Sequence, residues 1–191
     1  MSTVNQIRDS QPEMETSRLR LRKINTGDFT DLFLMVTDPD VMRYLGLEAG
    51  ATLSREETNV TLQKMVEFWA EHGFGRWAVV NKEDGKLIGI CGFRLLETTP
   101  ELFYMFSKES WGRGLATEAA GACLRYGFEE LGFEQVVAAT RHANTRSIRV
   151  MTKIGMSYEK EITHSGVDAV CYMATRNDYQ PDNLPYKLFR D

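Results

Sequence analysis

The chain has 191 residues, 42% hydrophobic and 26% charged, which is one domain's length with enough apolar residues for a core and no disordered, collagenous or low-complexity character. Its 23 Lys and Arg against 27 Asp and Glu leave a net charge of −4, so it lacks the basic surface that grips a nucleic-acid backbone, and no run reaches the about 18 apolar residues of a membrane span. Cys91, Cys123 and Cys171 are odd in number and far apart, which excludes a disulfide framework or a Cys-x-x-Cys metal knuckle.

Residues 1–14 read as an N-terminal extension, 15–180 as one domain and 181–191 as a C-terminal tail. Met1 to Gln11 carries no secretory pattern, which makes the cytoplasm the expected compartment. Leu19, Leu21 and Ile24 interleave with Arg18, Arg20 and Arg22, the pattern of a half-buried opening strand with an arginine strip toward solvent. Asp28 to Val36 and Asp40 to Leu45 read as helices around the Asp38-Pro39 break. Ser54 and Glu57 form a capping box that starts the next helix, Leu62, Met65, Val66 and Trp69 supply its apolar stripe, and Gly73 ends it.

Trp77 to Val80 and Leu87 to Phe93 are β-rich runs, and the Asp84-Gly85 pair between them predicts an antiparallel hairpin. Glu101 to Ser107 follows as a strand after a turn at Thr98-Thr99-Pro100. A helix is expected from Gly114 to Leu131, with Leu115, Ala119, Ala122, Cys123 and Tyr126 buried, and then a strand from Gln135 to Thr140. Strand, helix, strand requires a crossover, so these two strands are expected to be parallel within a mixed sheet. A helix from Thr145 to Ile154 and a closing antiparallel pair, Ser157 to Ile162 and Ala169 to Thr175, complete an α/β domain.

The segment Trp111-Gly112-Arg113-Gly114-Leu115-Ala116-Thr117-Glu118 carries the chemistry. Two glycines before a helix let the backbone approach a ligand, and the helix N-terminus offers unpaired N–H groups and partial positive charge to a diphosphate. A Gly-rich connection without ligand fits the same spacing. The third glycine of a dinucleotide fingerprint is replaced by Thr117, and no Walker-type run is present. His72, His142 and His164 lack metal-ligand spacing and read as surface or structural residues. Trp69, Phe74, Trp77 and Phe93 read as core aromatics.

Taken together, Glu15 to Arg22, Asp38 to Leu45, Gly89-Ile90-Cys91-Gly92-Phe93, Trp111 to Glu118 and Asn144-x-x-Ser147 to Lys153-x-Gly155-Met156 resemble the GNAT superfamily of N-acetyltransferases. Within it the chain is most similar to the branch of the ribosomal-protein alanine N-acetyltransferases. The superfamily's cofactor signature, Gln/Arg-x-x-Gly-x-Gly/Ala, falls on Trp111, Gly114 and Ala116, with Trp at its first position. The resemblance implies a splayed mixed sheet flanked by helices, with acetyl-CoA as cosubstrate and no metal. It implies cofactor contacts from Met105, Phe106 and Ser107, from Gly112, Arg113, Gly114, Leu115, Ala116 and Thr117, and from Asn144, Ser147 and Lys153. Asn144 also reads as a helix N-cap.

For acetyl transfer, Ser147 is the expected acid toward the leaving thiolate, and a backbone N–H at Phe106 the oxyanion donor. An alkylamine is largely protonated near neutral pH, so a base is useful. Glu101 is the first choice, with Glu97 in reserve, while Glu118 reads as an electrostatic partner of the helix N-terminus. The expected acceptor is a peptide N-terminus, an amino acid or a polyamine, acetylated directly by a monomer or homodimer with no nucleic acid or membrane partner. A catalytically silent acyl-CoA-binding module and a nucleotide-dependent enzyme are the alternatives.

Overall fold

Alternation builds the first strands. A computed structural model of the chain describes residues 12–46, 48–164, 166–180 and 186–189. β1 (Glu13–Glu15) turns into β2 (Leu19–Lys23), where Leu19, Leu21 and the following Ile24 are fully buried. The arginines between them are paired, Arg18 with Glu118, Arg20 with Glu13 and Arg22 with Asp28, each at 2.6 Å.

α1 (Phe29–Val36) and α2 (Pro39–Met42) part at Asp38-Pro39, with the second ending at Met42 before the expected Leu45. The capping box opens α3 (Arg55–His72): Glu57 N–H donates to Ser54 Oγ at 3.2 Å and Ser54 N–H to the Glu57 carboxylate at 2.8 Å. Leu62, Met65 and Trp69 of this helix are buried, as are Trp77 and Phe93 of the sheet.

β3 (Arg76–Asn81), β4 (Leu87–Leu96), β5 (Thr99–Phe106), β6 (Gln135–Thr140), β7 (Ser157–His164), β8 (Val167–Thr175) and β9 (Lys187–Phe189) complete a nine-stranded sheet of order β7-β8-β6-β5-β4-β3-β2-β1-β9. α4 (Leu115–Glu129) crosses between β5 and β6, and α5 (Thr145–Lys153) follows β6. All the described strand pairs are antiparallel except β5 with β6. The mixed sheet and its parallel crossover pair are as the sequence predicts.

Two expectations are corrected. Parts of the expected extension and tail belong to the sheet: Met14 is fully buried, Glu13–Glu15 pairs with both β2 and β9, and Trp77 Nε1 donates to Pro12 O at 3.0 Å. Residues 1–11, 181–185 and 190–191 lie outside the described residues. The turn into β5 falls at Glu97-Thr98, with Glu97 at φ 56°, so Thr99 and Pro100 are already paired opposite Leu96 and Leu95. Ladder alternation explains why Pro100 is tolerated. Ser107 N–H donates to Ile88 O at 2.8 Å, so odd-numbered β5 residues turn their main chain to β4, and the N–H that proline lacks would point away from it.

The three cysteines are buried and free, with Cys123 Sγ 3.5 Å from Cys91 Sγ. Burial first, and then Cys91, push the Cys123 thiol well above its ordinary range, as befits a core thiol. No helix among the described residues is long and apolar enough to cross a membrane.

The Gly92 position in the Gly-Ile-Cys-Gly-Phe run has a steric cause. A Cβ there would stand 2.3 Å from Gly75 O and 2.8 Å from the Arg76 Cα, at φ 147°. Gly92→Ala should therefore destabilise the fold by about 2 kcal/mol or more, from overpacking against backbone that cannot retreat. Urea unfolding with an unchanged m-value is the check.

Candidate active site

The cleft begins where the parallel pair comes apart. β5 and β6 are joined at Glu101 and Val137, and beyond that rung their C-terminal halves are unpaired with each other. The alternation that gives Met105 and Ser107 main chains to β4 turns those of Tyr104 and Phe106 into the opening. Phe106 O accepts Trp111 Nε1 at 2.9 Å, leaving its N–H for a ligand. Of the expected contacts, Met105 offers a side-chain wall to the cleft, and Ser107 takes Ser110 N–H and Oγ on its carbonyl while its own N–H goes to Ile88 O.

At the end of the opening lies the glycine turn. Gly112 and Gly114 adopt φ 76° and 77°, and nothing lies within 4 Å of where a Gly112 Cβ would be. The requirement is left-handed backbone rather than close packing. Helical bonding in α4 starts with Glu118 N–H to Gly114 O at 3.1 Å, and among the described residues the N–H groups of Gly112 to Thr117 meet no protein acceptor. Gly112, Gly114, Leu115, Ala116 and Thr117 line the cleft, whereas the Arg113 side chain turns out toward Glu83 at 3.5 Å.

A buried tether fixes this turn. Glu118 accepts Thr16 Oγ1 at 2.6 Å, Arg18 N–H at 2.9 Å and Arg18 Nε at 2.7 Å, and the same arginine donates to Arg113 O at 2.9 Å. Burial alone would raise the Glu118 carboxyl, but the Thr16 and Arg18 hydrogen bonds and the Arg18 charge outweigh it and hold it below its ordinary value. Trp111 serves as a platform for Arg146, whose guanidinium sits 5.1 Å above its ring.

α5 forms the opposite wall. Asn144 caps it, accepting Ser147 N–H at 3.2 Å while its amide donates to Thr140 Oγ1 at 2.9 Å, so its side chain orients the helix. Arg146, Arg149 and Lys153 share one helical face toward the cleft. Only Lys153 among them was expected, although the i, i+3, i+7 spacing was readable. The residue that sequence reasoning missed altogether is Tyr104, whose Oη lies 2.7 Å from Ser147 Oγ and donates to Ser147 O at 3.1 Å. Burial raises its phenol above the ordinary value, against the opposing Ser147 hydrogen bond.

At the vertex, Glu101 lines the cleft but is 1% exposed, and both its oxygens accept from Arg94, at 2.6 Å from Nε and 3.0 Å from Nη2. That fork occupies one lone pair on each oxygen of the carboxylate expected to act as base, directly or through water. Glu97 stands exposed at the hairpin tip, outside the cleft lining. Half-buried Arg76 lies beside Arg94, and the Phe103 ring sits 5.5 Å and 4.8 Å from the two guanidinium carbons. Burial, and after it Arg94, pull Arg76 down to about 10, with Glu101 opposing. Arg76 remains a cation at neutral pH.

The cleft measures about 1300 Å³ and collects Glu101, Met105, Phe106, the glycine turn, Asn144, Ser147 and Lys153. His72 stacks on Phe68 at 4.0 Å and His142 pairs with Glu161 at 2.6 Å, both away from it. No cluster of His, Cys, Asp or Glu among the described residues could hold a metal ion.

A family model described as an acetyltransferase (GNAT) domain matches residues 18–157. The chain belongs to the GNAT acetyltransferase family. It is 38% identical over 161 residues to the uncharacterized protein YkkB of Bacillus subtilis, covering 81% of this chain and 90% of that one. Spermidine N(1)-acetyltransferase of Escherichia coli is 29% identical over 148 residues, covering 76% of each. Among solved structures, a GNAT-family acetyltransferase from Bacillus anthracis superposes with a TM-score of 0.74 at 28% identity, over 86% of this chain and 99% of that one. The splayed mixed sheet is therefore a GNAT fold, and the chain is an enzyme of the acetyltransferase class.

In this GNAT enzyme the tether should set acid stability. A carboxyl depressed by folding contributes stability that is complete above its unfolded value of 4.5 and is lost as pH falls through the lower folded value. Glu118→Gln should cost about 2 kcal/mol near neutral pH. The deficit should shrink as pH is lowered below 4.5, as checked by unfolding both proteins across that range.

Proposed function

We propose that this chain transfers an acetyl group from acetyl-CoA directly to a primary amine within a ternary complex. The observation that carries the reading is a slot with open main-chain groups running into a turn whose amides meet no protein acceptor among the described residues. Those amides suit a diphosphate, Arg146, Arg149 and Lys153 suit further phosphate oxygens, and the Tyr104 main chain suits an amide of a pantetheine arm, which leaves the Phe106 N–H for the thioester. When bound, acetyl-CoA supplies a thioester whose carbonyl an amine can attack.

In this reading the N–H of Phe106 donates to the oxygen on which charge develops. Ser147 Oγ hands a proton to the leaving thiolate, and Tyr104, kept neutral by burial, orients it and can replenish the proton. Glu101 fixes Arg94 rather than acting alone as the base. Arg76 and Arg94 outnumber it at the vertex, and this excess positive charge favours the uncharged form of a bound amine, whose proton leaves through water in the open cleft. Alignment in one cleft then supplies much of the acceleration.

Calorimetry should show acetyl-CoA binding in preference to NAD or ATP, and a thiol-release assay over amino acids, peptides and polyamines should find turnover. Acetyl-CoA binding without thiol release from any amine would leave a binding module instead. Gly114→Val, which puts a branched residue at φ 77°, should weaken acetyl-CoA binding by at least about 10-fold in a protein that still folds. Ser147→Ala should lower kcat by about 100-fold with little change in acetyl-CoA affinity. A variant retaining full kcat would remove Ser147 from the proton path, and Tyr104→Phe should fall between it and the wild type.

A further inference from the structure

We infer that the acceptor amine carries a carboxylate and that Arg76 is the residue that reads it. This rests on the acetyl-transfer reading and narrows its acceptor. Strand register places the group: Arg76 lies opposite Gly92, Gly92 opposite Phe103, and Arg94 opposite Glu101. Directly paired residues and their second neighbours share a sheet face, so Arg76, Arg94, Glu101 and Phe103 all face the same way. All four line the cleft, at its vertex.

The charges there do not balance. Glu101 is taken on both oxygens by Arg94, and no carboxylate among the described residues lies within ion-pair distance of Arg76. Arg76 is a half-buried cation against an aromatic face, and the carboxylate that acts on it, Glu101, is already held on both oxygens by Arg94, so removing Arg76 from water is unfavourable until a further anion meets it. A carboxylate suits the gap because the guanidinium fork engages two oxygens at once.

The same charges disfavour a polycation. Glu101 and Asp40 are the acidic residues among those lining the cleft, and Asp40 is held by Lys108 at 2.6 Å and by Arg43. No lining carboxylate is left free for an ammonium, while Arg76 and Arg94 would repel one. The carboxylate could belong to a free amino acid or to an acidic side chain at a peptide N-terminus, and the assay separates these sources.

The test measures thiol release from acetyl-CoA with amino acids and their carboxamides, with N-terminally acidic peptide amides and their alanine counterparts, and with spermidine. The wild type should turn over a carboxylate-bearing amine with kcat/KM at least about 10-fold above its uncharged partner. Arg76→Gln should bring that ratio to within about 2-fold and Arg76→Lys should keep part of it, with both variants binding acetyl-CoA in calorimetry. Preference in the free amino acid pair assigns an α-carboxylate, and preference in the peptide pair an acidic side chain. Equal turnover of acid and amide, preference for spermidine, or a ratio unchanged in Arg76→Gln would overturn the inference while leaving acetyl transfer standing. Thiol release from no amine, with acetyl-CoA still bound, would overturn acetyl transfer itself. If Arg76→Gln does not fold, the wild-type ratio and Arg76→Lys decide.

Discussion

Two neighbouring parallel strands that share a rung at Glu101 and Val137 and then separate are the constraint on which the rest of this molecule depends. A sheet interior normally consumes its main-chain donors and acceptors, and open ones need water or a ligand. Here the separation leaves the even-numbered groups of β5 facing an opening, with walls supplied by α5 on one side and the glycine turn at the far end. The cleft is thus a consequence of strand geometry before any side chain is considered.

The far end is rigid for a different reason. α4 is buried along most of its length, with Leu115, Ala119, Ala120, Cys123, Leu124, Tyr126 and Phe128 in the core, so its N-terminus cannot shift without disturbing packing. Arg18 joins the helix to the turn by holding Glu118 and the Arg113 carbonyl together. A side chain near the start of the chain thereby holds a turn 95 positions later, which is the preorganisation that anion binding by bare amides requires.

Much of this was legible in the sequence because it is local. The capping box at Ser54, the Asp84-Gly85 hairpin, the Leu19-Leu21-Ile24 alternation and the glycine turn each follow from residues a few positions apart. What was missed depends on register. Placing the β4–β5 turn at Thr98 to Pro100 instead of Glu97-Thr98 hides that Arg94 stands opposite Glu101, and with it the fork that occupies the carboxylate. Tyr104 was hidden in the apolar run Leu102 to Phe106, since only the parting of β5 from β6 and the docking of α5 bring its hydroxyl to Ser147. β9 was invisible for a simpler reason: three residues after a Pro-containing tail carry too little pattern to announce an edge strand.

The arginine cluster has a consequence for how such a protein can change over generations. Arg76, Arg94 and Glu101 sit at the starts and ends of β3, β4 and β5, whereas the amide turn and the basic face of α5 belong to segments further along the chain. No side chain is shared between the two groups. In the acetyl-transfer reading proposed above, mutational drift at the strand ends would retune which nucleophile is admitted while the grip on the donor is inherited intact, so one scaffold would diversify its clients without first losing its reagent.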